Sequence, residues 1–106
     1  MAKFMVQFSY TKDGLEGLSK EGGTGRRTAI GQLVTSLGGK LEAVYWSMGE
    51  WDGFVIAEFP DNLAVAATAI IVGRAGTART MTTLLLTPED MDEVVKRHGL
   101  YRPPGQ

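Results

Sequence analysis

A chain of 106 residues has room for one domain with one hydrophobic core, and two domains would each be too small to stand alone. Acidic and basic residues almost cancel, for a formal net charge of −1. The basic ones are scattered rather than striped, so the footprint of a nucleic-acid binder is missing. The absence of cysteine excludes disulfides, thiolate nucleophiles and cysteine-ligated zinc, and it fits a reducing compartment.

The opening Met1-Ala2-Lys3-Phe4 lacks the basic and long apolar regions of a signal peptide, and no apolar run approaches the roughly 20 residues that cross a bilayer. A cytoplasmic protein without a membrane partner is expected.

Lys3 to Tyr10 alternates, with Phe4, Val6, Phe8 and Tyr10 on one side and Met5, Gln7 and Ser9 on the other, which predicts a first strand. Thr11 can cap a helical segment holding Leu15 and Leu18, but Gly14 and Gly17 weaken it by up to about 1 kcal/mol each relative to alanine. A short or irregular helix is expected there. After Gly22, Gly23 and Gly25 a better helix resumes near Arg26, with Ile30, Leu33, Val34 and Leu37 on one face, and Gly38-Gly39 end it.

A second strand is predicted over Leu41 to Met48 and a third over Gly53 to Phe59, both rich in β-branched and aromatic residues. Only Gly49, Glu50, Trp51 and Asp52 separate them, a connection so short that the two must form an antiparallel hairpin. Pro60 and Asp61 open a further helix, apolar at Leu63, Val65, Ala66, Ala69, Ile70 and Val72, that ends near Gly76.

A fourth strand follows over Ala78 to Leu86. Thr87, Pro88, Glu89 and Asp90 then set out the start of a last helix, with Lys96, Arg97 and His98 expected in its final turn. One domain over residues 1–99, with a flexible tail over 100–106, accounts for the chain.

The order strand, helix, strand, strand, helix, strand is the split βαβ, ferredoxin-like arrangement of the α+β class. It has one four-stranded antiparallel sheet in the order 4-1-3-2, both main helices on a single face, and here an added C-terminal helix. Both faces of the strands read as apolar. Phe4, Val6, Phe8, Val55, Ala57 and Phe59 can meet the helices, which leaves Met5, Phe54 and Ile56 pointing away. A large exposed apolar patch marks an interface, so a homodimer with sheets packed face to face, or a closed two-chain barrel, is expected. Burying about 600 Å² of apolar surface per chain contributes on the order of 15 kcal/mol before association costs. The competing expectation is that the last helix, through Met91, Val94 and Val95, folds across the open face.

Gly49, Trp51 and Asp52 at the hairpin turn resemble the motif of the GYD-domain family. The similarity continues through Tyr10-Thr11 with Gly14-Leu15, Leu37 to Leu41, Tyr45-Trp46, Pro60-Asp61, and Gly76 ahead of Arg79-Thr80. It covers about residues 4 to 86. The resemblance implies a ferredoxin-like fold of the dimeric α+β barrel kind, in a family with no established activity. Trp51 stands where the family usually has tyrosine, which argues against any role for a phenolic proton there.

Tyr45, Trp51, Asp52 and Arg79 are the candidate ligand-binding residues. Trp51 and Asp52 can form a pocket mouth, an aromatic plane beside a carboxylate. The architectural reading gives Trp51 the part of a lid on the core, Asp52 that of a turn acceptor, and Gly49 and Gly53 unusual backbone angles. Tyr45 and Trp46 are adjacent on a strand and must face opposite sides. Arg79 and Glu58 are charges within apolar strands, explained by edge exposure or pairing with Lys3; an Arg79 enclosed in a barrel would draw a carboxylate or phosphate.

Gly22 to Arg27 superficially suggests a phosphate cradle but lacks the Gly-Lys-Ser/Thr ending, and a break between helical pieces explains it better. His98 is the only histidine, so no cofactor is expected, with a haem held through His98 as the alternative by analogy with other dimeric barrels. The expected function is a small homo-oligomeric binding or regulatory module with a pocket between the sheets for a partly apolar molecule. Two alternatives stand beside it: a cofactor-independent oxygenase or isomerase, by analogy of fold, and a structural assembly protein without a ligand.

Overall fold

The computed structural model describes all 106 residues. Its elements run β1 (Ala2–Tyr10), α1 (Lys12–Ser36), β2 (Lys40–Trp46), β3 (Gly53–Phe59), α2 (Asn62–Ala75), β4 (Ala78–Leu85) and α3 (Pro88–Val94). The four strands form one antiparallel sheet in the order β2-β3-β1-β4, which is the expected 4-1-3-2 read from the other edge.

Alternation along β1 decides the layering. Phe4, Val6 and Phe8 are buried and join Val55, Ala57 and Phe59 of β3, with Ala78, Val34 and Val65, in a single core on the helix side. Phe4 and Phe59 meet edge to face at 6.1 Å between ring centroids, an arrangement that aromatic quadrupoles favour.

The first helical span keeps the expected break between two pieces. It runs 25 residues from Lys12, and only Gly22 leaves helical geometry, at φ 80°, ψ 170°. Thr11 caps it by accepting from the Gly14 amide at 3.3 Å. Gly14 does not weaken this turn; it makes the turn possible, because a Cβ there would collide with the Thr77 carbonyl and the Tyr10 ring. The same junction is tied to the start of β4 by the Thr11 amide, which donates to Thr77 O at 2.9 Å.

At the other end of α1, Gly38 takes φ 81° and the Gly39 amide closes onto Val34 O at 2.9 Å. Asp61 caps α2 by accepting from the Ala64 amide at 2.8 Å, and Gly76 ends that helix in the left-handed region.

β2 carries a bulge between Leu41 and Ala43. The extra residue, Glu42, reaches Lys3 at 2.9 Å. With it inserted, Leu41 and Val44 both pack against the core.

α3 is shorter than the sequence suggests. Thr87 and Asp90 form a reciprocal capping box, but the helix stops at Val94, so Lys96, Arg97 and His98 lie beyond it. No α3 residue is buried, and the helix does not cross the sheet, so nothing packs against a further turn to hold it. Residues 95–102 are exposed as well. The radius of gyration is 16.8 Å, against about 13 Å for a compact chain of this size.

Candidate functional site

The pairing registers lay out the face opposite the helices in rows. Tyr45, Phe54, Gln7 and Met81 stand side by side, then Ala43, Ile56, Met5 and Thr83, then Lys40, Glu58, Lys3 and Leu85. The middle of this face is apolar and aromatic, and charges gather at its far end. Tyr45 leans on Phe54 at 5.8 Å between centroids and is 61% exposed, with Met81 51% exposed.

Three of the four candidate residues share this face. Arg79 lies opposite Ser9, one row beyond Gln7, and its guanidinium stacks on Trp51 at 4.7 Å from the ring centroid. Trp51 therefore does not lid the core. Arg79 enters none of the chain's ion pairs, so its charge is met by an aromatic face and by solvent. Lys3 pairs with Glu42 rather than with Glu58. The Lys3 ammonium is held above its ordinary value first by that hydrogen bond, then by the negative charges of Glu42 and Glu58.

Asp52 is engaged differently. Its carboxylate accepts from the Tyr10 amide at 2.8 Å, its own amide donates to Phe8 O at 2.8 Å, and its carbonyl accepts from the Ser47 amide at 3.0 Å. The hairpin turn is thereby fastened to the end of β1. Within the turn the residue at positive φ is Met48, at 51°, not Gly49 or Gly53. Gly53 is present for space, since a Cβ there would meet the Phe8 ring and the Tyr45 carbonyl.

Trp46 turns to the helix side, as its neighbour Tyr45 requires. Its indole N–H donates to the Tyr10 hydroxyl at 3.3 Å, and its ring stacks edge to face with Phe8 at 6.2 Å. Gly23, just past the break in α1, sits over the same ring. Sequence reasoning did not bring these residues together, because Trp46 meets Phe8 and Tyr10 only once the strands are assembled into the sheet.

A second feature lies on the helix side. α1 rests mainly on β2 and α2 on β4, the two outer regions of the sheet, and between them an apolar cleft of about 360 Å³ opens onto the central strands. Val6, Phe8 and Val55 form its floor, and Arg26 is the one charged residue in its walls. His98 is exposed and lines no part of it. No group of three His, Asp or Glu side chains is placed to hold a metal, and no helix is long and apolar enough to cross a membrane.

The fold and the hairpin turn define a ferredoxin-like α+β domain with one covered and one open sheet face. The GYD-domain family model matches residues 4–95, and the chain belongs to that family. No curated protein and no solved structure matches it.

Proposed function

We propose that this GYD-domain protein is a small homo-oligomeric binding module in which the open faces of two sheets meet and enclose a ligand site bordered by Tyr45, Trp51 and Arg79. The supporting observation is the uncovered row of Tyr45, Phe54 and Met81, continued by Ile56 and Met5. α3 leaves this face open, and a second copy supplies an apolar surface of matching size. Arg79 and Trp51 present a cation and an aromatic plane at the rim, which suits a partly apolar anion.

A purely structural assembly has two observations in its favour: Arg79 is already stacked on Trp51 and the Asp52 carboxylate is already taken by a backbone amide. Native mass spectrometry of freshly purified protein separates the two readings. A dimer or higher oligomer carrying extra small-molecule mass, released by Arg79→Gln, supports the binding module. An oligomer without retained or competable ligand supports the assembly. A monomer at micromolar concentration, with Phe54→Glu leaving its mass and sedimentation unchanged, overturns both.

A further inference from the structure

The cleft between α1 and α2 lies on the other side of the sheet from the proposed association face, so its use does not depend on that reading. Packed interiors leave few voids larger than a single water. Here the two helices part over the sheet edges, and the α2 wall facing the gap is built from Thr68, Ile71, Val72 and Ala75, side chains too short to close it. A volume of about 360 Å³ reaches the usual range of ligand pockets. Water needs several polar partners to be held well in such a place, and the floor of Val6, Phe8 and Val55 offers none. An apolar chain displaces that water readily.

Besides the hydroxyls of Thr68, Thr77 and Thr80, the polar groups lining the cleft are those of Arg26 and Tyr10. Arg26 follows the break at Gly22 by one turn, and Tyr10 lines the same cleft. The Tyr10 hydroxyl accepts from the Trp46 indole, and its own proton has no acceptor in the chain. Arg26 has only Glu21 as partner, at 3.4 Å in a pair open to solvent, and such pairs are weak. One guanidinium and one free phenolic proton match the two oxygens of a single carboxylate; a phosphate would leave its third face without a donor.

We propose that this cleft binds a small apolar carboxylate whose head meets Arg26 and Tyr10 and whose saturated chain lies along Val6, Val55 and Ile71. At about 30 Å³ for each water-sized unit, the space holds about a dozen non-hydrogen atoms, the size of decanoate.

Isothermal titration of the full chain with decanoate and with decan-1-ol tests this. Decanoate binds saturably, one per chain, and more tightly than the alcohol. Arg26→Gln weakens decanoate by about 10- to 100-fold and leaves the alcohol unchanged, and Glu21→Gln, which frees the guanidinium, tightens decanoate. Ile71→Trp fills the cleft and abolishes both; Ala75→Leu, on the same wall at an exposed position, replaces it if the tryptophan lowers the melting temperature. Absence of saturable decanoate binding, or binding that survives Arg26→Gln or the filled cleft undiminished, overturns the proposal.

Discussion

The carboxylate of Asp52 holds the backbone amide of Tyr10 at 2.8 Å across 42 residues of sequence, and the Asp52 amide returns a bond to the same strand, donating to the Phe8 carbonyl two positions back. A turn residue is thus part of the sheet. Asp52→Ala leaves the Tyr10 amide unpaired and is expected to destabilise the fold by about 1.5–3 kcal/mol. Asp52→Asn keeps an acceptor oxygen and should lose less. Urea unfolding of both variants checks this; equal stability of Asp52→Ala and wild type would rule out the fastening role.

Two glycines of α1 respond in opposite directions. Gly17 is helical with open space where a Cβ would go, so Gly17→Ala should stabilise by up to about 1 kcal/mol. Gly22 sits at φ 80°, ψ 170°, a region almost closed to other residues, so Gly22→Ala should cost about 1–3 kcal/mol. Thermal melts of the two variants should move apart, one upward and one downward.

Gly53→Ala forces a methyl group against the Phe8 ring and the Tyr45 carbonyl. Overpacking of this kind costs about 1–3 kcal/mol. The backbone carbonyl cannot swing aside as a side chain would, and Gly53 therefore belongs at the upper end of that range, read from denaturant unfolding.

Trp51→Ala removes the aromatic face beneath Arg79. At an exposed site this contact is worth about 0.5–1 kcal/mol, and the same loss should follow Arg79→Gln, with the double variant no worse than either alone. A double-mutant cycle measures the coupling, and additive losses would show that the stacked pair contributes nothing.

Lys3 and Glu42 supply a test in pH. Because the folded pKa of Lys3 is raised above 10.5, the pair's contribution is fully present below that value and fades as pH rises through the folded pKa. Glu42→Gln removes the leading cause, so the ammonium resonance should titrate lower by NMR. The stability difference between this variant and wild type should shrink at alkaline pH.

Much of the fold was legible in the chain. The alternation of Phe4, Val6 and Phe8, the four-residue link at Gly49 to Asp52 and the caps at Thr11, Asp61 and Thr87 are local signals, and each local choice agreed with the topology. What the sequence hid was tertiary. Gly14 counted against a helix on propensity alone, yet it is selected by the close approach of Thr77. The last α-helical turn expected at Lys96 to His98 gives way to i to i−3 bonds from the Lys96 and Arg97 amides, because no neighbouring surface holds it. Asp52 was recognised as a turn acceptor, but its partner Tyr10 was not, since that contact appears only when β1 lies beside β3. Arg26 was passed over within a glycine-rich break, and only the parting of the helices reveals the cleft it borders.

The bulge at Glu42 shows how unevenly this sheet accommodates changes in chain length. β2 is an edge strand and has absorbed an additional residue while keeping Leu41 and Val44 on the same side. β1 is bonded along both flanks, and a single insertion there would exchange Phe4, Val6 and Phe8 with Met5, Gln7 and Ser9. Insertions and deletions should therefore accumulate at the rim of the sheet and be purged from its centre.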